Sequence, residues 1–347
     1  MEDESDWHKS YVGAYNRGMN HTCFAVTAVS AVALLVSQAA GQLTPDRTYF
    51  GVDRPVPMTV VVPAGSTGDP VIEIFMPGSK EAKATAPVAA GSINLASLFP
   101  TLWSEKSESV QYAQLKVGDT RIGSPVVLQP LLDSPPARGG QGRPTFPPRQ
   151  GAYSGIRAYS DKFVEFTTTV GTITFRLRPD QAPNTVWNFR SLIEGGFYTD
   201  IVFHRIMGSQ PGKPGFMAQV GDPTGTGSGG PGYNIDLENS KLPHDFGVIS
   251  MARTGDPNTN GSQVFVCFSR EGTNFLDGSY CAFGQAVGGA DAIVKLDQTP
   301  TETSPSGESS KPKDPAPRIT SAKMVDAPPF GEEPAAVKAA EAPKAER

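Results

Sequence analysis

The sequence predicts a mainly β protein with two folded units, and three observations support that fold class. Short apolar runs recur between Gly, Pro, Asp and Ser over residues 47–131 and again over residues 154–325, which is typical of strands at turn spacing. The chain has 37 Gly and 32 Pro among 347 residues, and both residue types destabilise helix interiors. A segment rich in Pro, Gly and Arg, residues 132–153, separates the two β-rich regions and predicts a linker.

Composition excludes several classes of function. Lys and Arg (30) are fewer than Asp and Glu (35), so the chain lacks the basic surface that a nucleic-acid coat requires. Its three Cys show no C-x-x-C spacing, and only four His are present. We therefore expect no metal, no cofactor and no nucleic-acid partner.

The N-terminal segment, residues 1–42, contains an uncharged apolar run at 24–36 followed by small residues. A run of this length predicts the core of a signal peptide rather than a membrane span, which needs about 20 residues. The residues before it are acidic, which is atypical of a signal; a start at Met19 would leave a short, non-acidic leader. We expect export to a periplasmic or other extracytoplasmic location, with membrane contact only if the apolar run is an uncleaved anchor.

The first folded unit, residues 47–131, is predicted to be a small β-sandwich. Its candidate strands include PMTVVVP, PVIEIFMP, VQYAQLKV and SPVVLQPL. This region has no His and no Cys, so we expect a binding or spacer module rather than a catalytic one. The low-complexity tail, residues 326–347, is predicted to be disordered.

The second unit, residues 154–325, combines strands with two short helices. Its predicted elements are a hairpin over FVEFTTTVGTITFRL, a helix from Pro183 to the stop at Gly195, a helix over residues 289–297 and a closing strand over residues 318–325. In the longer helix, Val186, Phe189 and Ile193 fall on one face.

Six motifs then follow one another in this unit. They are FHRI (203–206), PGFMAQVGD (214–222), GTGSGGPGY (225–233), GVISMA (247–252), NTNGSQVFV (258–266) and FLDGSYCAFG (275–284). In this order and spacing, residues 160–325 resemble the cyclophilin-type peptidyl-prolyl cis-trans isomerases. The resemblance implies a cyclophilin-like closed eight-stranded antiparallel barrel with two capping helices. It also implies catalysis of rotation about X-Pro bonds in exported polypeptides, without a cofactor, as an aid to protein folding.

The resemblance also assigns roles to individual residues. Arg205 would be the catalytic arginine, and Gln219 would hold it and contact the substrate. The residues implied in substrate binding are Phe216, Met217, Phe265 and Leu276 in the proline pocket, Gln263 with the backbone of Ala252 and Arg253 along the residues before proline, and Phe275 and Tyr280 at the rim.

The chemistry of the reaction agrees with these residue types. Rotation about a peptide bond faces a barrier of about 18–20 kcal/mol from amide resonance. A guanidinium that hydrogen-bonds the nitrogen of the twisted bond stabilises the transition state selectively, because the lone pair is available only there. Arg suits this role because it stays charged and presents a rigid fork of donors.

Four departures from the family pattern are present. The GSQPGK loop, whose insertion we place at residues 208–213, lengthens the connection after Arg205, and Val220 replaces a usual Gly. Phe275 stands where many eukaryotic members have Trp, which implies weak cyclosporin binding, and Tyr280 replaces a common His.

Two other hypotheses compete with the enzyme. One is a non-catalytic proline-peptide binding module in which the loop at 208–213 blocks turnover. The other makes the sandwich the main functional part, with the isomerase as an accessory.

Other motifs carry less weight. Residues 225–230 match G-x-G-x-x-G, but Pro231 follows, so no helix N-terminus is predicted to hold a phosphate. His204 and His244 lack a nucleophile motif for hydrolysis. Cys267 and Cys281 are expected to be free buried thiols, with a disulfide left open.

Overall fold

A computed structural model of the chain describes residues 42–133, 135–139, 143–148, 151–303 and 310–339. The predicted signal peptide and its cleavage region lie outside these residues, apart from Gln42. Within the described ranges, no helix is both long enough and apolar enough to cross a membrane.

Strands dominate the described chain. The strands up to residue 160 are β1 (Gln42–Pro45), β2 (Tyr49–Gly51), β3 (Pro57–Val61), β4 (Pro70–Phe75), β5 (Ala84–Pro87), β6 (Gly91–Asn94), β7 (Gln111–Val117), β8 (Thr120–Pro130) and β9 (Gly155–Ser160). The later strands are β10 (Lys162–Thr168), β11 (Gly171–Leu177), β12 (Ile201–Val202), β13 (Arg205–Met207), β14 (Met217–Val220), β15 (Val248–Met251), β16 (Val264–Cys267), β17 (Ala282–Gly288), β18 (Thr301–Thr303), β19 (Ser310–Pro312) and β20 (Arg318–Asp326). The helices are α1 (Leu95–Leu98), α2 (Thr101–Ser104), α3 (Pro183–Glu194), α4 (Arg270–Thr273) and α5 (Ala290–Asp297), with a 3-10 turn at Asn274–Leu276.

The first β-rich region forms two sheets around one core. One sheet has the order β1-β3-β6 and the other the order β2-β9-β8-β7-β4-β5. Leu43 and Met58 from the smaller sheet share an apolar cluster with Ile72, Leu115 and Ile156 from the larger one. Because alternate strand residues point to one face, these short strands can bury one side and leave the other to solvent.

Strand β9 differs from the predicted domain boundary. Its residues were assigned to the second unit, but β9 pairs with β8 and with β2 in the first. The ends of the β8–β9 connection are joined directly, since Leu131 N donates to Gly155 O (2.8 Å) and Ser154 N donates to Leu131 O (3.0 Å). The segment predicted as a linker therefore leaves and re-enters the same sheet as a long loop.

The second β-rich region is a single curled sheet of nine strands. Its order is β12-β20-β10-β11-β17-β15-β16-β14-β13, and every neighbouring pair is antiparallel. Only Phe203 and His204 separate the two outermost strands, β12 and β13, so one short segment supplies both edges of the sheet. The described strands show no ladder pairing between β12 and β13, and the predicted closed eight-stranded barrel is therefore not confirmed.

Both predicted helices and the closing strand are confirmed. Helix α3 begins at Pro183, is followed by Gly195, and buries Val186, Phe189 and Ile193 in the core of the curled sheet. Helix α5 covers the predicted 289–297 segment, and β20 covers the predicted strand.

The N-terminus of α3 is stabilised from outside the helix. Ala182 offers no side-chain cap, but the buried Glu238 carboxylate accepts hydrogen bonds from Asn184 N (3.1 Å), Thr185 N (2.7 Å) and Thr185 Oγ1 (2.8 Å). A carboxylate at this position satisfies orphan backbone donors and complements the helix dipole.

An aromatic and cationic cluster joins the two β-rich regions. The Arg157 guanidinium lies 4.6 Å from the Trp187 ring centroid and 5.2 Å from that of Tyr49. Tyr159 packs on the same indole at 5.1 Å, and Arg190 Nη1 donates to Ser160 O at 2.6 Å. The described residues from Gln42 onward accordingly belong to one compact unit rather than two separate domains.

The C-terminal tail is packed over its described part, which differs from the predicted disorder. Phe330 stacks on Phe75 with ring centroids 4.5 Å apart, and its amide donates to Gln114 Oε1 at 2.9 Å. Arg176 Nη2 bonds Glu333 Oε1 at 2.9 Å, and Val337 N donates to Ala286 O at 2.9 Å. These contacts, made at residues 330, 333 and 337, hold in place a segment whose composition is typical of a disordered chain.

We expect Phe330→Ala to lower the free energy of unfolding by about 3 kcal/mol, because it removes a buried aromatic ring at the junction of both sheets. Urea unfolding of the full chain measures this. The control is Glu332→Ala, which changes an exposed residue of the same tail. Equal stability of the two variants would show that the tail does not stabilise the fold.

Candidate active site

The predicted site residues lie on the outer face of the curled sheet. Arg205 on β13 pairs with Gln219 on β14, which pairs with Phe265 on β16, which in turn pairs with Ser250 on β15. Paired residues of neighbouring strands share a face, so these four side chains form one row across the sheet.

Met207, Met217 and Cys267 belong to the next row of the same face. Their strand neighbours Ile206, Ala218 and Val266 point the other way, into the main core. The strand period of two thus places site and core residues on opposite faces of the same four strands.

A small apolar cluster covers part of this outer face. Met217, Phe265 and Leu276 are buried in it, and Phe216, Ala252 and Tyr280 are partly buried against it. This cluster is distinct from the main core behind the sheet. The structure therefore brings together every side chain that was predicted to line a proline pocket.

Aromatic rings form the rim of the cluster. Phe275 is 60% exposed and stacks on Phe216 with centroids 5.6 Å apart. Tyr280 meets Phe265 edge-on at 6.0 Å, and the Arg253 guanidinium lies 4.4 Å from the Tyr280 ring centroid. An exposed apolar ring beside a partly open apolar cluster is a surface suited to a ligand.

A chain of amides orients Arg205. Gln263 Nε2 donates to Gly227 O and Gly229 O, both at 2.9 Å, so its Oε1 faces Gln219. Gln219 Nε2 donates to that oxygen at 2.7 Å, which leaves Gln219 Oε1 to accept from Arg205 Nη1 at 3.4 Å. Each amide orientation follows from the one before it, because nitrogen donates and oxygen accepts.

The loop that supplies those carbonyls is held by Asp222. This fully buried carboxylate accepts from Thr224 N (2.7 Å), Thr224 Oγ1 (2.8 Å) and Gly227 N (2.6 Å). Burial opposes its charge, but these hydrogen bonds and one from the Gly229 backbone hold the pKa of Asp222 well below its usual range. The sequence motifs assigned no site role to Asp222, although the glycine-rich run that follows it indicated a loop at this position.

A pocket of about 610 Å³ adjoins the other side of the amide chain. Gln219, Ala252, Arg253 and Gln263 all line it. The predicted residues thus border two adjoining surfaces, the apolar cluster and this pocket, with the Gln219–Gln263 pair between them.

The His244 side chain links the sheet that carries the apolar cluster to the segment that contains Leu276. The imidazole is buried, with Nδ1 3.0 Å from Asp277 Oδ1 and Nε2 2.9 Å from Ser250 Oγ. Its ring also stacks on Phe265 at 6.1 Å. Asp277 follows Leu276 directly, so this bridge connects the Leu276 segment, which forms the wall of the apolar cluster, to the sheet. From the sequence, His244 was considered only as a hydrolase residue.

Burial keeps the imidazole of this bridge in its neutral form at neutral pH. Burial lowers the pKa of His244 against the opposing effect of Asp277. Burial also opposes the charge of Asp277, but hydrogen bonds from the Arg270 side chain (2.6 Å) and the His244 amide lower the pKa of this carboxyl to about 2. The imidazole is then neutral, with Nδ1–H donating to the carboxylate.

His204 and the two cysteines play no comparable part. His204 is half-buried beside Arg205, and burial lowers its pKa. Cys267 and Cys281 are free and buried, and burial raises the pKa of the Cys281 thiol to about 12. Unreactive free thiols are what the sequence predicted.

The loop at 208–213 is directed away from the apolar cluster. Ser209 N and Oγ both donate to the Asp297 carboxylate at 2.7 Å, at the end of α5. Gln210 and Lys213 exchange backbone hydrogen bonds that prolong the β13–β14 hairpin. The loop therefore does not cover Phe216 or Phe265.

Comparison with known proteins shows a family match for this part of the chain. Residues 163–324 match the family described as cyclophilin type peptidyl-prolyl cis-trans isomerase/CLD. A peptidyl-prolyl cis-trans isomerase of Synechococcus elongatus is 48% identical over 118 residues, which cover 34% of this chain and 75% of that protein.

Two further proteins are similar over the same region. The peptidyl-prolyl cis-trans isomerase-like 2 protein of Cryptococcus neoformans is 42% identical over 149 residues, 41% of this chain but only 24% of its own length. A Cryptosporidium parvum cyclophilin type isomerase, crystallised in the presence of the dipeptide Ala-Pro, is 34% identical, with a TM-score of 0.41 over 47% of this chain and 98% of that one.

The match to the family description and the relative in Synechococcus elongatus define one class of protein. The chain belongs to the cyclophilin-type peptidyl-prolyl cis-trans isomerase family.

We expect Asp277→Asn to flatten the acid dependence of stability. The depressed pKa of Asp277 gives stability that is present above about pH 4, the usual pKa of an aspartate, and is lost as pH falls towards 2. After allowance for partial exposure, the wild type should lose about 0.5–1 kcal/mol between pH 4 and pH 2.5 that the variant does not lose. Urea unfolding at pH 4 and pH 2.5 measures it.

The control is Asp236→Asn, which changes an exposed aspartate. It should retain the acid dependence of the wild type. If Asp277→Asn did so too, the ion pair would not stabilise the wall of the cluster.

Proposed function

We propose that the protein catalyses cis-trans isomerisation of X-Pro peptide bonds, with Arg205 as the catalytic residue. The observation that carries this proposal is the row in which Arg205, Gln219 and Phe265 lie side by side on the outer face of three paired strands. Strands are spaced by about 4.8 Å, so Arg205 and Phe265 stand roughly 10 Å apart at the backbone, with Gln219 between them.

That spacing suits a proline and the residue before it. A proline ring on Phe265, Met217 and Leu276 would hold one side of the rotating bond in apolar surroundings. The rotating peptide bond, whose flanking Cα atoms are about 3–4 Å apart, would then lie over Gln219 within reach of Arg205, and the residues before it would continue along Gln263 and Ala252 to Arg253. One side of the bond is fixed and the other is free to turn.

Catalysis then follows from selective stabilisation of the twisted bond. In the planar amide the nitrogen lone pair is delocalised, and in the twisted state it accepts a hydrogen bond from the guanidinium. The amide chain from Gly227 through Gln263 and Gln219 holds Arg205 ready, so little reorganisation is needed during rotation. No proton is transferred in this scheme, which is consistent with Tyr280 at the rim.

The direction of the 208–213 loop favours the enzyme over the non-catalytic binding module. That alternative requires the loop to obstruct the pocket, whereas Ser209 is bonded to Asp297. Weak cyclosporin binding stays a prediction, since Phe275 has no indole N–H to donate.

We expect Arg205→Ala to reduce catalysis of X-Pro exchange by about a hundredfold, the usual effect of losing one preorganised donor. Arg205→Lys should retain an intermediate rate, because an ammonium keeps the charge but not the planar fork. Two-dimensional NMR exchange of a short Ala-Pro peptide measures both variants. Arg54→Ala, an exposed arginine after β2, is the control.

No acceleration by the wild type would refute the enzyme hypothesis. Acceleration that is unchanged in Arg205→Ala would refute the role of this residue alone.

We further propose that the protein is exported and assists folding of extracytoplasmic polypeptides. The support is the uncharged apolar run at 24–36 and the small residues after it. We expect a mature N-terminus shortly after this run, read by N-terminal sequencing of protein from the extracytoplasmic fraction. Leu34→Arg with Leu35→Arg should retain the protein in the cytoplasm; an intact leader on exported protein would instead indicate an anchor.

A further inference from the structure

The loop between β8 and β9 reaches the isomerase surface, and we call its residues 135–139 and 143–148 the arm. Ala137 is buried there: its amide donates to Asn258 Oδ1 (3.2 Å) and its carbonyl accepts from Asn258 Nδ2 (2.9 Å). Arg138 and Thr145 exchange backbone hydrogen bonds of 2.8 and 3.0 Å. Phe146 packs against the main core, so the arm is a fixed part of this surface.

The arm lies beside two loops that border the candidate site. A methyl group placed on Gly139 would be 3.4 Å from Pro257, in the loop that follows Ala252 and Arg253. A methyl group placed on Gly278 would be 3.9 Å from Arg143 Nη1, and Gly278 lies between Leu276 and Tyr280.

Arg253 joins these two loops to each other. Its Nε and Nη2 both donate to Ser279 O, at 3.2 and 2.9 Å. The arm therefore borders the end of the site at Arg253, where the residues that precede the bound proline would leave it.

The arm carries two exposed positive charges. Arg138 and Arg143 are exposed, and within the described residues neither guanidinium bonds to a carboxylate. The nearest loop carboxylates have other partners, since Asp256 accepts from Asn258 N (2.9 Å) and Asp277 is bonded to Arg270 (2.6 Å). Two exposed arginines thus lie on the arm, next to the loops that border the site.

We propose that Arg138 and Arg143 extend the substrate groove and select polypeptides with acidic side chains a few residues before the isomerised proline. This inference rests on the proposed isomerase function. An extended chain advances about 3.3–3.6 Å per residue, so three to five residues before proline would span roughly 10–18 Å and reach beyond Arg253. Each exposed ion pair contributes modestly, which gives about a two- to fivefold preference that salt weakens.

The test compares peptides that contain Glu, Gln or Lys at the third, fourth and fifth positions before an Ala-Pro bond. Two-dimensional NMR exchange at low salt gives the catalysed rate for each peptide with the full chain. We expect the wild type to prefer Glu over Lys peptides by about two- to fivefold, with Gln peptides between them. The variant with both Arg138→Glu and Arg143→Glu should reverse this order and leave the Gln-peptide rate unchanged.

The control is Arg54→Glu, which makes the same kind of charge change after β2. It should keep the wild-type order of rates. Equal rates for Glu and Lys peptides, or an equal shift in the control, would overturn the role of the arm while Gln-peptide catalysis persisted. Loss of acceleration for every peptide in the wild type would instead refute the isomerase function.

Discussion

The separation of site and core depends on the alternation of side chains along four neighbouring strands. In β13, β14, β16 and β15, every second residue enters the main core and the others form the outer-face row. A shift of one residue in any pairing would exchange the two sets, placing Arg205 or Gln219 in an apolar interior. Burial of Ile206, Ala218 and Val266 therefore fixes the register that assembles the site.

Hydrogen-bond direction adds a second constraint on that face. Asp222 accepts hydrogen bonds that hold the glycine-rich loop in place. The carbonyls of this loop orient Gln263, and Gln263 orients Gln219. On the opposite side, the His244 bridge ties Leu276 to the sheet through Asp277 and Ser250. The apolar cluster is thus bounded by two polar networks whose buried members are all supplied with partners.

Local sequence signals were enough to predict those elements whose limits are set by residues within or next to the element. Pro183, Gly195 and the apolar spacing between them fix α3, and the ordered motifs pointed to the apolar cluster and to Arg205 with its two glutamines, but not to the supporting residues Asp222 and His244. Signals of that kind fail where the partner is distant in sequence. Nothing near Gly155 shows that β9 pairs with β8, and nothing near Asn184 shows that Glu238 caps α3.

For the same reason, composition was a poor guide to the packing of the described parts of the linker and the tail. Both are rich in Pro and small residues, yet a few contacts with distant residues, such as the Ala137 backbone with Asn258 and Phe330 with Phe75, fix their described parts. The family resemblance also implied a closed barrel, whereas the described strands show no pairing of β12 with β13.

The position of Phe330 has a consequence for the order in which the fold is completed. This residue is synthesised after every described strand of the curled sheet, yet it packs on Phe75 and Tyr112 of the six-stranded sheet, whose last strand ends at Ser160. Contacts between residues so far apart in the chain raise the contact order and slow folding. The junction of the two β-rich regions can therefore be completed only after Phe330 has left the ribosome. Until then, the surface around Phe75 and Tyr112 stays uncovered.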